Sequence, residues 1–122
     1  MIDHVTLQVS DVAASRAFYE VVLAPLGGQV AMADEDSVGF FGATPGSFWL
    51  IPAERSEDRE LHLAFSAADR AEVRAFHEAA LAFGAEILHE PRLFPEYHEH
   101  YYGAFVRDPD GHNVEAVCHL PE

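Results

Sequence analysis

Apolar and polar residues alternate through the opening of the chain. Val5, Leu7 and Val9 form one face, and His4, Thr6 and Gln8 the other. That period of two belongs to a strand buried on one side, with its second face lining something wetter. The pattern returns further on, where Leu61, Leu63 and Phe65 oppose His62, Ala64 and Ser66. A shift of 58 positions lays His4 on His62, Asp11 on Asp69, Arg16-Ala17-Phe18 on Arg74-Ala75-Phe76 and Glu20 on Glu78, without a gap. A His, an Asp, an Arg-Ala-Phe run and a Glu in one register mark two copies of one supersecondary unit.

Each copy continues the same way. Ser10-Asp11 starts a helix whose inner face is Ala14, Phe18 and Val21 or Val22, and Pro25 with Gly27-Gly28 ends it. Gln29–Ala33, Val38–Phe41 and Ser47–Ile51 read as strands separated by the turns Asp34-Glu35-Asp36 and Thr44-Pro45-Gly46. The first unit, residues 1–52, is β-α-β-β-β. The polar stretch Pro52–Glu60 is the boundary, and the second unit, 61–122, follows. Its helix is capped by Asp69, with Glu72 as capping-box partner, buries Val73, Phe76 and Ala80, and closes at Gly84. Ala85–Leu88 reads as a short strand and Pro91–His100 as an aromatic-rich connection. Tyr101–Arg107 and His112–Cys118 are strands joined by Asp108-Pro109-Asp110-Gly111, the composition of a type I turn. The fold class is α+β, a single domain over 1–122 made of two tandem βαβββ modules.

Composition narrows the function. With 49% hydrophobic residues among 122, the chain can build a packed interior. Its net charge of −14 repels phosphate backbones and anionic lipid, so neither nucleic acid nor a membrane surface is an expected partner. The absence of lysine removes Schiff-base chemistry and a phosphate-loop lysine. One cysteine, Cys118, fits a reducing compartment, and no targeting signal or membrane-length apolar run is visible. A cytoplasmic protein is expected.

The polar faces carry the candidate chemistry. His4 and His62 occupy equivalent strands, and Glu115 lies between Val114 and Ala116 in a half-buried strand. A carboxylate there must be paired, protonated or bound to a metal. Laying Gly46 on Gly111 brings Leu50 opposite Glu115, so the first unit supplies no second carboxylate. Two histidines and one carboxylate leave coordination positions open, as at catalytic metal sites, and favour Fe(II) over Mn(II), Zn(II) or Ni(II). A regular hairpin register sets Tyr102 on the face of Glu115, which makes Tyr102 the first candidate to move a proton and His100 the second. Trp49, Leu50, Tyr97 and His98 are the candidate substrate contacts.

These residues resemble the vicinal oxygen chelate family, which includes glyoxalase I, extradiol dioxygenases and the fosfomycin- and bleomycin-resistance proteins. The resemblance spans essentially the whole chain. It rests on His4-Val5-Thr6-Leu7-Gln8-Val9-Ser10-Asp11, Ala17-Phe18-Tyr19, His62-Leu63-Ala64-Phe65 and the closing Phe105-Val106-Arg107-Asp108-Pro109-Asp110-Gly111-His112-Asn113-Val114-Glu115. It implies a cup of paired βαβββ modules around a divalent metal held by His4, His62 and Glu115. It also implies a homodimer, with His4 of one chain meeting His62 and Glu115 of the other if modules are exchanged. The fourth protein ligand of glyoxalase I-like members is missing near Leu50. Dioxygenase-like chemistry on a small substrate with two adjacent oxygens is therefore expected ahead of a glyoxalase-like lyase or isomerase. A non-catalytic module that sequesters a small molecule is the expectation from another class.

Overall fold

The computed structural model describes residues 1–54 and 60–122; the expected module boundary across 52–60 lies largely outside them. The first unit runs β1 (His4–Val9), α1 (Val12–Leu23), a 3-10 turn (Ala24–Leu26), β2 (Gln29–Ala33), β3 (Val38–Phe41) and β4 (Ser47–Pro52). The second runs β5 (His62–Ser66), α2 (Arg70–Phe83), β6 (Ile87–Leu93), β7 (Tyr102–Arg107) and β8 (Asn113–Cys118). Each unit forms one four-stranded sheet, in the orders β1-β4-β3-β2 and β5-β8-β7-β6. The first strand of each sheet pairs in parallel with the last, and the remaining pairs are antiparallel. The repeat read from the sequence is thus a repeat of topology, in which β1 and β5 form one edge of their sheets and β2 and β6 the other.

Both helices begin where a side chain can accept from the first turn. Asp11 accepts from the Ala14 amide at 3.1 Å and Asp69 from the Glu72 amide at 2.8 Å, while Glu72 reaches back to the Ala68 amide at 2.7 Å. Gly84 ends α2 with φ +92°, a left-handed value that favours glycine. The helices pack on each other and on the inner sheet faces, so one core serves both units. Phe18, Tyr19, Val22, Leu50, Phe76 and Val114 lie at its centre. Phe65 of β5 meets Phe48 of β4 edge-on at 5.3 Å, which carries the core across the module boundary.

A buried polar tie adds to that apolar seam. The Tyr19 hydroxyl on α1 donates to Asp108 Oδ2 at 2.7 Å. Asp108 Oδ1 accepts from the amides of Asp110 and His112, both at 2.9 Å, and Asp110 accepts from Ser10. The β7–β8 turn is therefore bolted to the start of α1, which fixes the position of β8.

Two sequence expectations change. Residues 91–93, expected in a connection, continue β6; Pro91 is accommodated at an edge strand beside a register shift between His89 and Arg92. The β7–β8 register is one residue away from the regular hairpin, because Phe105, not Ala104, pairs with Glu115. His112 is drawn into the turn: its amide donates to Asp108 at 2.9 Å, its ring accepts from the Leu61 amide at 3.0 Å, and it is buried.

Candidate metal centre

The face of the second sheet turned away from the helices carries His62 on β5, Glu115 on β8 and Phe105 on β7. Pairing sets Ala64 beside Glu115 and Phe105 beside Glu115 on its other flank. Glu115 is wholly buried, yet both carboxylate oxygens have partners. His62 Nε2 lies 2.9 Å from Oε2, and the Tyr101 hydroxyl donates to Oε1. Without those contacts a carboxylate at this depth is strongly unfavourable. His62 is half-exposed over the carboxylate and stacks on Phe105, with centroids 5.9 Å apart. Phe94, edge-on to both Phe105 and Tyr101, and Tyr97, stacked on Phe94, extend this surface into an aromatic wall.

Gly103 makes the carboxylate contact possible. A Cβ there would lie 3.3 Å from Glu115 Oε1 and 3.4 Å from the Tyr101 ring. Burial, followed by the hydrogen bond to Glu115, pushes the Tyr101 hydroxyl well above the usual tyrosine range, so it stays protonated as a donor.

The register moves the expected roles by one residue. Tyr102 shares its face with Ala104 and Val106, packs against the core and lies under the Arg70 guanidinium at 5.0 Å. It is on the wrong side of the sheet to serve Glu115, and Tyr101 takes that place. The first unit shows the same slip. His4 pairs with Ser47 as His62 pairs with Asn113, so the counterpart of Glu115 is Trp49 rather than Leu50. Leu50 is fully buried in the core. Trp49 lies over Gly39, where a Cβ would come within 2.7 Å of the ring, and its indole N–H donates to Ser47 Oγ at 2.9 Å. An indole thus occupies the position at which the first unit would otherwise present a ligand.

His100 and His98 stand off from the carboxylate. His100 faces Glu99 at 3.4 Å, and His98 meets the rings of His100 and His119, each at 5.8 Å. His119 in turn contacts Tyr101 edge-on at 5.1 Å. Arg107 reaches Glu60 at 2.6 Å and the Gly111 carbonyl at 2.7 Å.

His4 occupies on β1 the place of His62 on β5, but it lies apart from Glu115. It pairs with Asp3 at 2.8 Å and lines a groove of about 680 Å³ with Phe41, Ser47, Ala64 and Ser66. Among the described residues, no group of three or more His, Cys, Asp or Glu side chains is placed to hold a metal ion within one chain. The pair that is assembled nevertheless fits a divalent ion. A separation of 2.9 Å is that of two adjacent donors each roughly 2.0–2.2 Å from a shared metal. Within one chain, His62 and Glu115 are thus the two candidate donors brought together, the half-exposed imidazole lying over the buried carboxylate.

The profile of the Glyoxalase/Bleomycin resistance protein/Dioxygenase superfamily matches residues 1–116. A glyoxalase/bleomycin resistance protein from Albidiferax ferrireducens T118 is 27% identical, with a TM-score of 0.83 over 96% of this chain and 98% of that one. Lactoylglutathione lyase from Agrobacterium tumefaciens shares the fold at 23% identity, with a TM-score of 0.72 over 96% and 92%. A glyoxalase/bleomycin resistance protein/dioxygenase family enzyme from Burkholderia phytofirmans PsJN does so at 18%, with a TM-score of 0.76 over 97% and 98%. No curated protein matches the chain significantly. A profile covering nearly the full length, on two βαβββ units with this topology, settles the affiliation: the chain belongs to the Glyoxalase/Bleomycin resistance protein/Dioxygenase superfamily.

Proposed function

We propose that this protein is a divalent-metal-dependent enzyme acting on a small substrate that offers two adjacent oxygens, with His62 and Glu115 of one chain and His4 of a partner chain as the protein donors. The observation that carries this reading is the 2.9 Å approach of a half-exposed His62 Nε2 to a fully buried carboxylate. In this reading the protein is a homodimer with exchanged modules: β1 and β5 each form a sheet edge, and among the described residues His4 stands in no group of three or more His, Cys, Asp or Glu that could hold the ion. When bound, the ion supplies Lewis acidity that stabilises negative charge on the substrate oxygens.

The chain's own residues do the rest. Tyr101 fixes the orientation of Glu115 and leaves Oε2 for the donor set. Phe105 and Phe94, both buried, exclude water from one flank of the carboxylate, and Tyr97, stacked on Phe94, is the exposed ring of that wall. Trp49 in place of a fourth donor keeps coordination positions open, which favours Fe(II) and dioxygenase-like chemistry. The structural likeness to lactoylglutathione lyase keeps a glyoxalase-like lyase or isomerase as the second reading. The single buried Cys118 fits a cytoplasmic setting.

The discriminating assay offers Fe(II)-loaded protein a catechol panel and, separately, a hemithioacetal. Oxygen consumption with a catechol is the expected result. Turnover of the hemithioacetal alone reverses the ranking. Ligand binding that is indifferent to chelator and to Glu115→Gln, without any turnover, replaces both with a sequestering protein.

A further inference from the structure

The aromatic wall ends in a cation. Arg92 pairs with Gly103 in the β6–β7 register, which places it on the face of Glu115, and its guanidinium lies 3.6 Å from the centroid of Phe94. Because Gly103 has no side chain, the Glu115 carboxylate and the Tyr101 ring close over it, at 3.3 and 3.4 Å from where a Cβ would stand, on the same face as Arg92. Among the described residues two arginines share this face. Arg107 is held by Glu60 and the Gly111 carbonyl. Arg92 spends one N–H on the Leu93 carbonyl at 2.8 Å and otherwise meets only Glu96, at 3.6 Å, with both side chains half-exposed. A solvent-screened pair at that distance is weak and readily exchanged. Stacking on Phe94 orients the guanidinium plane in advance, so its edge can take a carboxylate bidentately.

We infer that Arg92 anchors an anionic group, best a carboxylate, on an aromatic substrate whose adjacent oxygens lie at His62 and Glu115. The inference rests on the chelation reading above and adds the substrate class. The span is compatible with it: Arg92 and Glu115 stand on strands two apart and two residues out of line, roughly 12 Å by ordinary strand geometry, which one substituted benzene ring bridges with the help of both side chains. The charge balance supports it. On a chain of net charge −14 an anionic ligand is broadly repelled, so a weakly engaged cation at the end of an apolar wall selects strongly.

The test uses full-length protein loaded with Zn(II), which holds the donors without consuming oxygen, and three probes: catechol, 3,4-dihydroxybenzoate and its methyl ester. Calorimetry is expected to show the acid binding about tenfold or more tighter than the ester, the range of one charge-assisted contact. In Arg92→Gln that ratio falls to about one, in Arg92→Lys part of it remains, and zinc content monitors the integrity of the site. Equal binding of acid and ester, or a ratio untouched by Arg92→Gln, overturns the anchor while binding of catechol still upholds chelation. If none of the three probes binds, the chelation reading falls and the anchor with it.

Discussion

Glu115 is held by two side chains of different legibility. Its partner His62 is visible in the sequence, because strict alternation assigns it to the polar face of β5 and the repeat ties it to His4. Tyr101 is not. Counting back through a regular hairpin gives Tyr102, but His112 enters the turn and shifts β7 by one residue against β8. A slip of one residue sends every side chain to the other face. The same extra residue separates Gly111 from Asn113, whereas Gly46 directly precedes Ser47, and this is why Leu50 stood in for Trp49. Composition carries no signal for that insertion, since the capping of a turn by Asp108 depends on where the following amides point. Tyr101→Phe should leave Glu115 Oε1 buried without its donor and lower unfolding free energy by about 1–3 kcal/mol, measured by urea denaturation. Unchanged stability would show that Tyr101 does not satisfy the carboxylate.

Elements were read best where their ends are chemically marked. Asp11 and Asp69 cap the helices as expected, and Gly84 closes α2. The end of β6 was misplaced because Pro91 reads as a strand stop, yet an edge strand with a shifted register accommodates a residue without an amide hydrogen. In the first sheet, Gly39 gives Trp49 its bed. Gly39→Ala should therefore force the indole off the strand and cost about 1–3 kcal/mol, visible as a lower melting temperature and changed tryptophan fluorescence. No change in either would mean that the ring has room to shift.

The link between α1 and the β7–β8 turn makes a prediction about alkaline pH. Burial foremost, then Asp108, raises the Tyr19 hydroxyl far above its ordinary value. The unfolded chain loses that proton near pH 10 while the folded chain keeps it, so the native state binds more protons and stability falls as pH rises. The slope is about 1.4 kcal/mol per pH unit above pH 10 for this one group. Tyr19→Phe should be less stable at pH 7, through the lost bond to Asp108, and show a shallower decline above pH 10. Parallel curves for the two proteins would refute the assignment.

At the scale of the whole molecule, one core joins two units, and each sheet turns its other face away from the helices and ends in two edge strands. The candidate donors divide along the same line, with His62 and Glu115 together on the second sheet and His4 on the first. Sequence periodicity gave this division of faces and the repeat gave the equivalence, but neither says which copies meet, because that is decided by docking between chains. The central claim is that a partner supplies the missing donor. It is tested most directly by counting metal ions in a mixed dimer of a His4→Ala chain and a Glu115→Gln chain, carrying different tags and purified without nickel. In that dimer one site combines intact His4 with intact Glu115, and the other has lost both. The expected result is about one divalent ion per mixed dimer, with either parent variant binding far less and the wild type about two. A mixed dimer as empty as its parents, or a wild-type protein that takes up no metal, would contradict the account.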